Sequence, residues 1–379
     1  MSLESLIESV GDKTVLALTG LFVGLLFGVF AQRSRFCLRA AVVEFTRCCQ
    51  GPKVAVWLLA FSGAVLATQI FIASDLLRVS DVRQLASRGS MSGAIIGGLM
   101  FGVGMVLARG CASRLLVLSA TGNLRALVSG LIVTLVAQAS LRGALSPARE
   151  WLAGLWTIEG GVSRNLLTWV NGTATLGIVL GAAWLAYGLW LARRSNISGW
   201  MIFGSIGVGL TIALGWGMTF AISQISFEPV SVKSISFTGS SADTLMALIN
   251  SPTIPFGFDV GLVPGVFLGS LAAALAFGDF KLQGYNGGLS MVRYISGASL
   301  MGFGAMLAGG CAVGAGVTGG AVFAVTAWLA LFAMWVGAGA TDWLVDRDAQ
   351  ETPVVASAEP EELKVKAGAG GKSPLVPAE

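Results

Sequence analysis

The chain has 379 residues, of which 55% are hydrophobic and only 12% are charged, with a net charge of +4 and no histidine. Soluble globular proteins carry roughly 25% charged residues, so this chain has too little charge to cover a water-facing surface. The small net charge gives no indication of nucleic-acid binding. Five cysteines do not indicate a disulfide scaffold.

Seven stretches of the chain contain no charged residue, and each is 19 residues or longer. A bilayer core of about 30 Å needs roughly 20 apolar residues in a helix. The apolar runs are continuous and do not alternate with a period of two, which favours helices over a membrane barrel. The sequence therefore predicts an all-α integral membrane protein.

The first segment lacks a basic leader and carries Glu4, Glu8 and Asp12, so we predict that 14–31 is a retained span and not a cleaved signal peptide. We predict about nine transmembrane helices plus short half-helices. The predicted spans are 14–31, 54–77, 91–108, 115–139, 174–192, 199–222, 259–279, 294–309 and 320–342.

The remaining segments are more polar. Segments 140–172 and 228–258 carry tryptophans or prolines and are predicted to be interfacial loops with short helices. Residues 347–379 have few large apolar side chains, so we predict a disordered tail. Residues 1–346 are predicted to form the membrane transport domain, which is divided into halves at about 14–192 and 199–342.

An internal repeat relates 97–112 to 297–312, where eight of sixteen positions are identical at a constant offset of 200. A repeated pair of short, glycine-interrupted apolar segments indicates the central site of a transporter. We therefore predict two pseudo-symmetric halves. The identical positions in the first copy are Gly97, Gly102, Gly104, Leu107, Ala108, Gly110, Cys111 and Ala112.

Three cysteines, Cys37, Cys111 and Cys311, each lie where a predicted span ends. A single cysteine is most often a small buried hydrophobic residue. Two of these three occupy equivalent repeat positions and two are flanked by arginines, which favours a functional role for the set. The adjacent Cys48 and Cys49 have no repeat partner and are interpreted as ordinary loop residues.

Arginines accompany two of these cysteines. Arg109 and Arg114 bracket Cys111, and an arginine at membrane depth is costly enough to indicate function. They predict an anionic substrate, which the N–H groups at half-helix N-termini also attract. Arg33 and Arg39 are interpreted as topology signals or interfacial side chains. The basic residues at 33–53 and 193–194 predict that the first loop is cytoplasmic.

Several chemistries are not supported. Single cysteines far apart in a chain without histidine do not suit a structural zinc site, and no Cys-x-x-Cys redox motif is present. No Walker A sequence is present, so the chain is not predicted to be an ATPase. Glu44 and Asp259 lie near span ends, where structural roles outweigh proton transfer. We predict no catalytic residue, metal or cofactor.

Three motifs resemble the YeeE/YedE family of sulfur-compound transporters: Arg-Ser-Arg-Phe-Cys at 33–37, Gly-Cys-Ala at 110–112 and Gly-Gly-Cys-Ala-Val-Gly-Ala-Gly at 309–316. The resemblance covers roughly 14–342. It implies a pseudo-symmetric bundle with half-helices meeting at its centre. It also implies uptake of thiosulfate across a bacterial inner membrane, passed between three cysteines without a stable covalent adduct. Members of the family often work with a small cytoplasmic sulfurtransferase resembling TusA.

Around the middle cysteine the family pattern is Gly-Gly-Cys-Ala-Thr-Gly, whereas this chain has Arg-Gly-Cys-Ala-Ser-Arg at 109–114. Two added positive charges widen the expected substrate class to sulfur oxyanions and related sulfur species. The candidate substrate-binding residues are Cys37, Cys111, Cys311, Arg35, Arg109, Arg114, Gly110, Gly309 and Gly310.

Two alternatives remain open from the sequence. One is a transporter for another anion or for a selenium compound, in which the cysteines are structural; sulfate uptake insensitive to thiosulfate competition favours it. The other is a membrane enzyme that handles persulfides, which predicts a covalent persulfide detectable by mass spectrometry. We expect a transporter and not an enzyme.

Overall fold

A computed structural model describes residues 10–47, 50–226, 228–250, 256–284 and 288–346. Cys48, Cys49 and the predicted tail at 347–379 lie outside the described residues. Part of the predicted interfacial loop at 228–258 also lies outside them.

Helices account for most of the described chain. Two short strands, β1 (Gly89–Ser90) and β2 (Thr157–Ile158), pair antiparallel. Short helical turns lie at Val79–Asp81, Arg83–Ala86, Val162–Arg164, Leu166–Trp169 and Gly319–Ala321, and π-helical turns at Ala312–Thr318 and Asp342–Asp346. The longer helices are α1 (Asp12–Ser34), α2 (Leu38–Thr46), α3 (Pro52–Ala73), α4 (Met91–Leu107), α5 (Ala112–Ala120), α6 (Leu124–Arg142), α7 (Ser146–Gly154), α8 (Ala174–Arg194), α9 (Gly199–Ile225), α10 (Thr238–Asn250), α11 (Phe258–Ala276), α12 (Gly288–Leu307) and α13 (Val325–Thr341).

Eight helical segments within the described ranges are long and apolar enough to cross a membrane. A ninth is obtained when Met291–Leu307 and Ala312–Ala321, which are bent by 40° at a short break, count as one span. Two of the eight segments also contain a break: Asp12–Thr46 is broken between α1 and α2, and Met91–Ala120 between α4 and α5. The prediction of an all-α membrane protein with about nine spans is confirmed.

Two predicted spans are wrong in their bounds, because a hydropathy run does not reveal a tight turn. The predicted span at 115–139 is divided between α5 and α6: Gly122 adopts φ 94° and the Asn123 side chain accepts a hydrogen bond from Ala126 N–H at 3.0 Å. The predicted span at 320–342 is interrupted where Phe323 adopts φ 54°, so α13 begins only at Val325.

Glycines allow α1 and α11 to pack with their backbones in close contact. A Cβ atom on Gly24 would meet the carbonyl oxygen of Leu262, and one on Gly265 would meet that of Leu21, closer than real Cβ atoms lie. The same holds at Gly20, Gly28, Gly261 and Gly269, each one helical turn from the next. Small residues at this spacing are typical of close helix packing in membranes, where dispersion replaces the hydrophobic effect.

A second close approach joins the two repeat segments. A Cβ atom on Gly97 would lie 2.5 Å from the oxygen of Gly304, and one on Gly104 would lie 2.5 Å from that of Gly297. Since Gly97 faces the later residue of α12, the two helices cross antiparallel. The breaks that follow α4 and α12 therefore lie on opposite sides of this crossing.

Glycine contacts also fix the directions of the other spans: α1 runs parallel to α11, α4 parallel to α13, and α8 antiparallel to α3. One side of the bundle consequently contains five helix ends and four helix starts. They are the ends of α1, α4, α8, α11 and α13 and the starts of α3, α6, α9 and α12. We call this side the arginine-rich face after Arg33, Arg47, Lys53, Arg194 and Arg293, while Arg78, Arg88 and Arg142 lie at the opposite side. The two groups of basic residues that predict a cytoplasmic loop thus lie on the same side.

Candidate functional site

Each of the three candidate cysteines begins a helical segment after a break in a span. Cys37 is the N-cap residue of α2, Cys111 that of α5, and Cys311 that of the π-helical turn Ala312–Thr318. All three have an extended backbone. The first N–H groups of a helical segment have no partner inside it, so each cysteine lies at the positive end of a helix dipole.

The residue two positions before each cysteine adopts the left-handed conformation. The φ angles are 53° at Arg35, 55° at Arg109 and 81° at Gly309. A left-handed residue ends a helix by turning the chain away from its axis. The three breaks therefore share one local geometry: a left-handed residue, one linking residue and an N-cap cysteine.

Backbone hydrogen bonds agree between the two repeat copies. Gly110 N–H donates to Met105 O at 3.0 Å, and Gly310 N–H donates to Ala305 O at 2.8 Å. Beyond the breaks, the N–H groups of Leu115 and Ala315 donate to the carbonyls of Cys111 and Cys311 at 2.9 and 2.8 Å. The repeated sequence thus forms the same local turn twice. The division of the whole chain into pseudo-symmetric halves stays a prediction.

The structure brings two of the three cysteines together. The Cys37 and Cys111 side chains interact directly, and Cys111 Sγ also lies 3.4 Å from Ser113 Oγ. Cys111 and Cys311 are each only 1% exposed, while Cys37 is partly exposed. Cys311 belongs to the break on the other side of the α4–α12 crossing. Helix α5 and the π-helical turn nevertheless contact each other, so the two regions adjoin.

A backbone N–H group points at one of the three sulfur atoms. Gly314 N–H donates to Cys311 Sγ at 3.4 Å. The side chains of Cys37 and Cys111 accept no such cap hydrogen bond, although both residues occupy the same N-cap position. The unpaired N–H groups at these helix starts suit an anion.

Arginines flank the Cys37–Cys111 pair on two sides. Arg114 acts electrostatically on both thiols and lies near Arg35. One terminal nitrogen of Arg114, and Nε of Arg109, are buried without a hydrogen-bond partner among the described residues. Unpaired buried donors are rare in proteins, so these nitrogens are available for an anion.

Arg39 is the residue that the sequence analysis missed. The sequence indicates a topology signal at this position, but Arg39 lies in the first turn of α2 and acts on the Cys37 thiol. Its position two residues after a break cysteine was the available signal. Arg33, in contrast, lies 4.0 Å from Asp279 and stacks over the Phe277 ring at 3.7 Å, as an interfacial side chain does.

The carboxylates set aside in the sequence analysis have structural partners. Glu44 accepts a hydrogen bond from Val54 N–H at 2.8 Å, near the start of α3. Asp259 pairs with Lys233 and accepts from Ser240 Oγ. These contacts agree with structural roles for both carboxylates.

Replacing Arg109 by glycine is expected to raise stability while weakening anion binding. Glycine adopts the left-handed conformation without the cost of about 1 kcal/mol that other residues incur, so thermal unfolding of the purified protein should require more heat. The same variant loses a partly buried positive charge, and its half-saturating anion concentration for transport should rise. A variant that is more stable with unchanged anion affinity would exclude Arg109 from the site.

Two known transporters are similar to this chain over most of their length. The chain is 29% identical to the thiosulfate transporter TsuA of Spirochaeta thermophila over 345 residues, which cover 87% of this chain and 99% of that protein. It is 27% identical to the thiosulfate transporter TsuA of Escherichia coli over 345 residues, or 86% of this chain and 94% of that protein. Both relatives are named transporters, in agreement with the expectation of a transporter and not an enzyme.

The family described as Sulphur transport matches residues 33–340, a range that contains all three breaks. The match begins at the first residue of the first motif, near the end of α1, and ends within α13. This multi-pass membrane protein belongs to the Sulphur transport family.

Proposed function

We propose that the protein imports thiosulfate or a closely related sulfur-containing anion across the inner membrane of a bacterium. The anion passes between Cys37, Cys111 and Cys311 through weak, non-covalent thiol contacts. The observation that carries this proposal is the shared geometry of the three breaks, each of which places a cysteine at the N-terminus of a helical segment. The names of the two relatives support the substrate class.

Cys37, Cys111 and Cys311, with the polar groups around them, are three stations along the proposed path. Their chemistry suits that of thiosulfate. The anion has charged oxygen atoms and one soft terminal sulfur. Arginine and backbone N–H groups bind the oxygens, while a polarizable thiol is a weak partner for the sulfur. Several weak sites in series allow an ion to enter and to leave, which conduction requires.

The candidate glycines and arginines have distinct roles in this proposal. Gly309 and Gly310 adopt φ 81° and 159°, so they allow the chain to leave the helix before Cys311. Gly110 links the left-handed Arg109 to Cys111. Arg35, Arg109 and Arg114 supply the charge that attracts the anion on the side of the arginine-rich face.

Inward transport of the anion needs a source of free energy other than the pore itself. Moving a dianion inward against an inside-negative potential costs twice about 2.3 kcal/mol per 100 mV. Either a co-transported ion supplies this energy, or a cytoplasmic sulfurtransferase resembling TusA lowers the inner concentration by consuming the anion. We propose the second, with such a sulfurtransferase as partner. The basic residues of the arginine-rich face predict that this face is cytoplasmic.

Growth of a host that lacks its own thiosulfate uptake tests the proposal. Expression of the chain should allow growth with thiosulfate as the only sulfur source and should produce uptake of labelled thiosulfate. Excess sulfate should compete less well than excess unlabelled thiosulfate, because sulfate has no soft sulfur for the cysteines to contact. Uptake of sulfate that thiosulfate does not inhibit would instead favour a transporter of another anion with structural cysteines.

A further inference from the structure

Next to the Cys37–Cys111 pair, at the arginine-rich face, lies a compact group of charges that we call the Asp346 cluster. Asp346 accepts hydrogen bonds from Arg293 Nη2 at 2.8 and 2.7 Å through its two oxygens, and Arg39 Nη2 lies 3.9 Å from it. Asp342, one turn earlier, is bound by Arg47 at 3.1 and 3.0 Å. The cluster consists of Arg39, Arg47, Arg109, Arg293, Asp342 and Asp346, since Arg109 acts on both Arg39 and Asp346.

The charges of this cluster do not balance. It contains four guanidinium groups and two carboxylates, which leaves two positive charges. Both carboxylates are deeply buried, with side-chain exposures of 3% for Asp342 and 6% for Asp346, and Arg39 and Arg293 are only 22% and 24% exposed. Partly buried positive charge in this amount favours a divalent anion.

The arginines also retain unused donors. Nε of Arg39, Arg109 and Arg293 is buried in each case and has no partner among the described residues. At Asp342 the Nε donor of the neighbouring arginine is used, because Arg47 binds this carboxylate through both Nε and a terminal nitrogen. Two of these free donors therefore belong to arginines, Arg39 and Arg293, that lie within 4 Å of Asp346 and not of Asp342.

We propose that Arg39, Arg109 and Arg293 form a second anion site, which binds the oxygens of a divalent oxyanion, and that the Asp346 carboxylate occupies it when the anion is absent. Asp346 is then a built-in competitor, which an arriving oxyanion displaces. The site recognises charge and oxygen geometry, whereas the cysteines recognise soft sulfur. The inference rests on the proposed function for its substrate class but not for its test, because sulfate suits this site as well as thiosulfate.

Binding of labelled sulfate to the purified full-length protein tests the proposal. Removing the competitor in Asp346→Asn should lower the half-saturating sulfate concentration by about five-fold, the equivalent of one partly buried ion pair. Asp342→Asn is the matched control one turn earlier: Arg47, which is not one of the three proposed ligands, binds this carboxylate, so the half-saturating sulfate concentration should fall by less than about two-fold. Unchanged or weaker sulfate binding by a folded Asp346→Asn variant overturns the proposal.

Two further variants keep the test decisive if Asp346→Asn does not fold. Arg109→Gly removes one of the proposed ligands at a position where glycine relieves backbone strain, and it should weaken sulfate binding about five-fold. Unchanged sulfate affinity in this variant overturns the proposal. Replacing Cys37, Cys111 and Cys311 together by serine should leave sulfate binding intact even if thiosulfate transport is lost. Loss of sulfate binding there would place sulfate at the cysteines and overturn the second site.

Discussion

Replacement of Cys111 by alanine is expected to lower the rate of thiosulfate uptake by about 10- to 100-fold. Cys111 is buried and lies between Arg109 and Arg114, which we propose attract the anion. Its loss interrupts the series of cysteines at the point where the anion is passed on, and a 10- to 100-fold lower rate corresponds to about 1.4–2.7 kcal/mol. Initial rates of labelled thiosulfate uptake in whole cells measure the effect.

Controls separate a lost station from a damaged fold. Ser113→Ala removes the hydroxyl that lies 3.4 Å from the Cys111 sulfur and keeps the thiol, so uptake should remain within about two-fold of the wild-type rate. Membrane levels of each variant are compared by immunoblot. Wild-type uptake by Cys111→Ala at normal expression would contradict the relay.

A Gly265→Ala substitution is expected to destabilise the protein by about 2–3 kcal/mol. The added Cβ atom would meet the carbonyl oxygen of Leu21 and lie 3.0 Å from its Cα atom, so α1 and α11 must separate. Because α1 leads directly to Cys37, the separation should also reduce transport. Thermal unfolding of the detergent-solubilised protein measures the loss of stability.

Gly130 in α6 is the matched control for this substitution, since it too is a helical glycine within a span. A Cβ atom there would meet only the Leu115 Cβ atom, at 4.0 Å. Gly130→Ala should therefore leave stability unchanged or raise it slightly, because alanine is the better helix former. Equal unfolding temperatures for the two variants would mean that close backbone packing does not hold α1 against α11.

Most of the spans could be predicted from the sequence because they contain a long run without charge, although 115–139 contains Arg125. Their ends could not, since turns such as 121–123 and 322–324 depend on a single left-handed residue inside an apolar run. The repeat was visible because glycine occupies the same positions in both copies. The break before Cys37 was visible as the end of a predicted span, but its likeness to the break before Cys311 was not, because Arg35 and Phe36 take the places of Gly309 and Gly310.

The candidate site was predicted in part. The sequence pointed to the three cysteines and to Arg109 and Arg114, but it did not indicate that Cys37 and Cys111 interact directly. Nor did it point to Asp346, because this carboxylate is more than 200 residues from Arg39 and Arg109 along the chain. Only the packing of α13 against α4 and α2 brings these charges together.

The most direct test of the thiol relay is the flux ratio of labelled thiosulfate to labelled sulfate in proteoliposomes that contain the purified protein. The relay predicts that the wild-type protein strongly prefers thiosulfate. It also predicts that this preference disappears when Cys37, Cys111 and Cys311 are together replaced by serine, because hydroxyl groups do not distinguish a soft sulfur from an oxygen. An undiminished preference for thiosulfate in the serine variant would contradict the relay.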